Sequence, residues 1–104
     1  VIEFLFWEGC PSHERALGDL TALIDEFAIP RDQLSVTEVK TDADAQRERF
    51  IGSPTIRVDG KDIFDPGDTP YGLDCRVYFK RDGRASPLPD PDDLREAIAQ
   101  AKGT

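Results

Sequence analysis

Val1-Ile2-Glu3-Phe4-Leu5-Phe6-Trp7-Glu8-Gly9-Cys10-Pro11-Ser12-His13 is the stretch that decides how this chain folds. Residues 1–7 are apolar on both alternating faces apart from Glu3, the pattern of a central strand covered from both sides. A helix is predicted over 11–28. Pro11 suits its first position, where the N–H that proline lacks has no partner anyway. Leu17, Leu20, Ile24 and Phe27 follow at helical spacing, and Pro30 ends the run. Cys10 therefore stands where a strand hands over to a helix. Unpaired N–H groups and the positive end of the helix dipole favour an anion there. The thiolate is the reactive form of cysteine and helix N-termini lower thiol pKa, so the expectation is an ionised, reachable Cys10 acting as nucleophile. His13 lies one turn along, where it can stabilise a thiolate if charged or accept the thiol proton if neutral. Ser12 is expected to bond the sulfur or cap the helix, and Trp7 to shield one side of the thiol.

Outward from this junction, residues 34–40 (LSVTEVK) are short and β-branched, a second strand. Thr41-Asp42 starts a helix through residue 50, with Gly52 as its stop. Residues 55–59 (TIRVD) form a third strand ending in the turn signal Asp59-Gly60. Residues 63–74, rich in Gly, Pro and Asp, read as an ordered loop. Residues 75–80 (CRVYFK) are a fourth strand closed by Arg81-Asp82-Gly83. Pro87, Pro89 and Pro91 make a stiff linker. Asp92 or Asp93 opens a last helix to about residue 102, with Leu94 and Ile98 facing inward. The predicted order is β-α-β-α-β-β-α over a single α/β domain, 1–104, with a mixed four-stranded sheet and helices on both faces. Alternation of the first three strands with helices favours a parallel start through right-handed crossovers, and the end switches to an antiparallel pair.

With 104 residues the chain suffices for one compact domain. A formal net charge of −8 argues against nucleic acid or an anionic membrane as main partner, since both need a basic face. No apolar run approaches the ~20 residues of a membrane span, and no signal-peptide pattern is visible. Two cysteines make neither a disulfide scaffold nor a CxxC zinc pair, so a cytoplasmic protein without a metal or other cofactor is expected. Asp42, Asp44, Asp59, Asp62, Asp65 and Asp68 do not fit the spacing of a calcium loop and read as caps, turns and solvated surface.

The element order, with Gly9-Cys10-Pro11 at the first strand–helix junction and Gly52-Ser53-Pro54-Thr55 before the third strand, resembles the thioredoxin superfamily over nearly the whole chain. The resemblance implies a cis-proline at Pro54 beside Cys10. It also implies a substrate groove lined by Trp7, Pro11, Ser12, Ser53, Pro54 and Thr55, in which the free backbone of Ser53 pairs with an extended substrate. Members of that family carry C-x-x-C, with the second thiol resolving a mixed disulfide. Here His13 occupies the resolving position. Cys10 then works as a monothiol resolved by a small thiol, or Cys75 resolves it, or the site binds a soft ligand. The expected partners are a small thiol or a protein disulfide. Arg15 and Arg76 are candidates for holding a carboxylate-bearing thiol such as glutathione.

Cys75 lies in Gly72-Leu73-Asp74-Cys75-Arg76-Val77-Tyr78. This segment together with Gly9-Cys10-Pro11-Ser12-His13 resembles small bacterial thioredoxin-like proteins, some of them described as related to alkylmercury lyase. That resemblance implies an alternative, an organomercurial lyase-like or soft-metal-binding protein using Cys10 and Cys75, with His13 as proton donor; thiolates favour soft ions. A further alternative is a non-catalytic thioredoxin-like module that holds a peptide beside Pro54. In its simplest reading Cys75 points into the core as a small apolar residue.

Overall fold

The computed structural model describes residues 1–64 and 70–103, with side chains through residue 101. Residues 65–69, part of the expected loop and including Asp65 and Asp68, lie outside the described residues.

The opening segment forms the strand that its pattern requires. β1 (Ile2–Phe6) lies inside a four-stranded sheet, between β2 (Leu34–Glu38) and β3 (Thr55–Val58), and β4 (Lys61–Asp62) follows at the far edge. Successive β1 side chains point to opposite faces. Ile2 and Phe4 join the larger core with Ala16, Leu20 and Ile24 of α1 (His13–Glu26), Ile56 of β3, and Leu94 and Ile98 of α3 (Pro91–Gly103). Leu5 points the other way, into a smaller core with Val39, Phe50 and Ala45 of α2 (Asp42–Glu48); Trp7 and Leu73 pack against it. Helices thus cover both faces. The inward stripe of α1 is Ala16, Leu20 and Ile24, while Leu17 and Phe27 pack half-buried at its margin.

Strand directions depart from the expected parallel start. β1 and β2 are parallel, but β3 is antiparallel to β1. Helix length explains this. The 14 residues of α1 span about 21 Å, enough to return the chain to the start of the sheet. The seven residues of α2 reach only about 10 Å, so β3 begins at the end where β1 and β2 finish. In consequence Thr55 pairs with Leu5, and the 52–54 turn comes to rest beside Cys10.

The fourth strand also differs from expectation. Asp59 and Gly60, with φ of 52° and 83°, make the tight turn that returns the chain as β4, antiparallel to β3. Residues 75–80 lie outside this sheet. Tyr78–Phe79 (β5) pairs instead with Ala85–Ser86 (β6) in a separate antiparallel ribbon. Boundaries shift as well. Arg49, left-handed at φ 54°, closes α2 ahead of Gly52, and Phe50 N–H donates to the Ala45 carbonyl at 2.8 Å. Pro91, expected in a linker, is the first residue of α3, with Asp90 Oδ1 accepting from the Asp92 N–H at 2.9 Å. Among the described residues no helix is long and apolar enough to cross a membrane.

Candidate functional site

Cys10 leaves the end of β1 in a tight turn, its N–H donating to the Trp7 carbonyl at 3.1 Å. The indole of Trp7 lies across Gly9, so close that a Cβ there would sit 2.4 Å from the ring. Helix α1 starts at His13, so Pro11 precedes the N-cap residue, Ser12, rather than opening the helix. The Ser12 side chain makes no cap bond. Its hydroxyl is 3.3 Å from the Cys10 sulfur instead.

The sulfur is sealed: Cys10 is 1% exposed, against the expectation of a reachable thiol. Its hydrogen-bond neighbours are the Ser12 hydroxyl and the Ser53 carbonyl at 3.6 Å, and the Ser53–Cys75 bridge brings Cys75 close enough to interact with it. Among the described residues no backbone N–H of the first turn donates to it. A protonated Cys10 donates to the Ser53 carbonyl. An ionised Cys10 accepts from the Ser12 O–H. Both cysteines are free, and Cys75 is exposed. The hydrogen bond to Cys10, followed by burial and the negative charge near Cys10 and Asp74, pushes the Cys75 thiol up to about 11. Cys75 therefore keeps its proton at neutral pH. Its location also excludes the reading of Cys75 as a core residue.

His13 does not face the sulfur. Its ring stacks on Phe6 with centroids 4.6 Å apart, and Nδ1 lies 2.7 Å from the Cys10 carbonyl oxygen. A carbonyl only accepts, so Nδ1 carries hydrogen and the imidazole orients the Cys10 backbone. This geometry does not support a proton-transfer role for His13 toward the thiol.

The Ser53–Pro54 bond is cis, and Pro54 is buried beside Cys10. The backbone of Ser53 is not free for a substrate, however. Ser53 N–H donates to the Asp74 carbonyl at 2.8 Å, and Arg76 N–H donates to the Ser53 carbonyl at 2.9 Å, so that Cys75 pairs with Ser53 in an isolated parallel bridge. The chain fills its own groove with residues 74–76. Gly52 permits the approach: at φ 151°, a Cβ there would sit 3.0 Å from the Cα and N of Arg76. Thr55 is buried and donates to the Gly52 carbonyl at 2.6 Å; it props this turn and meets no open groove. The Ser53 hydroxyl is buried without a hydrogen-bond partner among the described residues.

Three anchors hold the 74–76 segment in place. Arg76, 8% exposed, pairs with Asp62 of β4 at 2.7 Å and donates to the Phe64 carbonyl at 3.0 Å. Its guanidinium also lies over the Tyr78 ring, 4.7 Å from the centroid. The Tyr78 hydroxyl donates to the Pro54 carbonyl, and burial pushes that phenol above its ordinary range. Gly72 N–H donates to the Phe50 carbonyl at 3.0 Å. Arg76 is thus committed internally and holds no ligand carboxylate. Asp62, expected on the solvated surface, is its half-buried counter-charge. Arg15 lies on the far side of α1, facing a groove against α3 with Asp19 and Pro91.

Asp62, Tyr78 and Gly52 are site residues that residue types alone did not mark. In 75–79 Arg76 and Tyr78 go in while Cys75, Val77 and Phe79 face out, the reverse of what residue type indicates, so no local signal marks these residues. Among the described residues no group of three or more His, Cys, Asp or Glu is placed to hold a metal ion. No protein-family model, curated protein or solved structure matches this chain.

Proposed function

We propose that this chain is a thiol–disulfide redox protein of thioredoxin-like architecture whose redox centre is the pair Cys10–Cys75. The single observation that carries the reading is the convergence of two free thiols, far apart in sequence, on Ser53: its carbonyl oxygen lies 3.6 Å from the Cys10 sulfur and its backbone bridges to Cys75. Two-electron oxidation joins the sulfurs and releases two protons; a small thiol or a protein disulfide is the exchange partner. Cys75 takes the place of the resolving thiol that the Cys10–His13 run lacks. The groove beside Pro54 is filled by residues 74–76, which counts against a module that holds a peptide there.

Oxidation of the purified protein with a limiting amount of diamide tests this reading. The expected product is a monomer lighter by two hydrogens, with a 10–75 cross-linked peptide and full recovery of both thiols in dithiothreitol. A product without that cross-link refutes the pair.

The same convergence on Ser53 favours a second reading, capture of a soft monovalent ion by both cysteines. Titration with Cu(I) against a competing chelator tests it; stoichiometric binding lost in both Cys10→Ser and Cys75→Ser supports it. The carbon–mercury cleavage reading fares worse, because His13 faces a carbonyl rather than the sulfurs.

A further inference from the structure

The two sulfurs of the pair are unequal in the one respect that controls encounter with another molecule. Cys10 is 1% exposed, covered by Ser12, the Ser53 carbonyl and the bridge that residues 74–76 make along Ser53. Cys75 is exposed and begins an outward-facing row that continues with Val77 and Phe79, 60% and 68% exposed. Attack on a disulfide is directed to one sulfur, and access decides which.

We infer that external thiols exchange at Cys75, with Cys10 as the sheltered thiol that departs and returns. This assignment rests on the redox pair proposed above. It inverts the expectation that the junction cysteine meets the substrate.

The bonds balance as follows. In the oxidised chain an incoming thiolate R–S⁻ bonds to the Cys75 sulfur, the Cys10–Cys75 bond breaks, and its electron pair leaves on Cys10. The Ser12 hydroxyl is already at 3.3 Å to donate to that thiolate. A second thiolate then attacks the R-bearing sulfur of the mixed disulfide, R–S–S–R departs, and the Cys10 and Cys75 thiolates each take up a proton, replacing the two lost when the incoming thiols ionised. Two thiols have become one disulfide, and the protein disulfide has become two thiols. The raised Cys75 thiol holds its proton firmly once released, but it is a poorer leaving group and slows this last step. The electron donor this favours is a neutral or cationic thiol, because the Asp74 carboxylate borders the attacked sulfur.

The test uses the wild-type chain. Diamide-oxidised protein is mixed briefly with 2-mercaptoethanol and quenched in acid. The freed thiols are alkylated under acidic conditions, and the peptides are mapped. The expected result is a mercaptoethanol adduct on Cys75 exceeding that on Cys10 at least about tenfold, with alkylation on Cys10. An adduct on Cys10 with Cys75 alkylated overturns the assignment while leaving the redox pair intact. Failure of the 10–75 cross-link to form overturns the pair and the assignment together. As a second arm, Cys10→Ser is expected to react with oxidised 2-mercaptoethanol at Cys75 with a rate rising with pH. Cys75→Ser is expected to react at Cys10 at least about tenfold more slowly than an unfolded control peptide, because residues 74–76 must first open. Control-like reactivity of Cys10 also overturns the assignment.

Discussion

The Arg76 N–H donates at 2.9 Å to the carbonyl oxygen of Ser53, the same oxygen that lies 3.6 Å from the Cys10 sulfur. One acceptor thus carries both the backbone of the covering segment and the buried thiol. Whatever loosens the segment from Ser53 also changes the surroundings of Cys10.

Arg76 and Asp62 are the first place to loosen it. Their ion pair is 8% and 12% exposed, and removing one partner strands the other without a counter-charge. Arg76→Ala is expected to lower unfolding free energy in urea by about 3–5 kcal/mol. Replacing both residues by leucine restores part of that loss. In both variants alkylation of Cys10 accelerates, because the cover is held less firmly.

Gly52→Ala tests the close approach. The added methyl meets Arg76 backbone at 3.0 Å, and φ of 151° is a region that side chains rarely adopt. A loss of about 1–3 kcal/mol is expected by urea denaturation, with a lower yield of the 10–75 cross-link under limiting diamide.

Ser12→Ala separates chemistry from fold. Its hydroxyl bonds the Cys10 sulfur and makes no helix cap, so the melting temperature is expected to stay nearly unchanged. Cleavage of the oxidised pair by 2-mercaptoethanol is expected to slow about tenfold, the worth of a hydrogen bond to a charged group. His13→Phe, which keeps an aromatic ring against Phe6 but loses the carbonyl contact, is expected to slow it by less.

The Cys75 thiol predicts an alkaline signature. Its pKa in the fold, about 11, exceeds the ordinary value of 9.0, so the unfolded chain ionises first and unfolding releases a proton. The stabilisation is full below about pH 9 and disappears as pH rises through about 11. The stability difference between the reduced wild type and Cys75→Ser, measured by urea denaturation, is therefore expected to shift against the wild type across that window. Asp74→Asn moves the window downward, because it removes a negative charge beside the thiol.

Much of the frame was legible because it depends on local pattern. The two-faced apolar run of β1, the helical spacing of Leu20 and Ile24, and Thr41 as a cap accepting from Asp44 N–H at 3.1 Å all follow from residue type and period. The cis bond at Pro54 came from resemblance, not from pattern. The direction of β3 depends on how far a seven-residue helix reaches, a length that its predicted boundaries overstated. Residues 75–80 depart from the expected fourth strand of the sheet for a different reason. Alternation alone buries Val77 and Phe79, yet Arg76 and Tyr78 go inside because Asp62 and the Pro54 carbonyl receive them. Those partners are distant in sequence, so no local window contains the information. Cys10 is sealed for the same reason, since the covering segment is the one that leaves the expected strand position.

The meeting of Cys10 with Cys75 spans both crossover helices and the β3–β4 hairpin. A covalent bond across it closes a ring over most of the chain and removes disordered conformers from the unfolded ensemble, a gain of about 4 kcal/mol by loop closure. The reciprocal also holds: the folded architecture makes the same bond harder to reduce by an equal amount. Loss of electrons and resistance to unravelling are then one equilibrium observed by two instruments, and a melting curve doubles as a redox gauge.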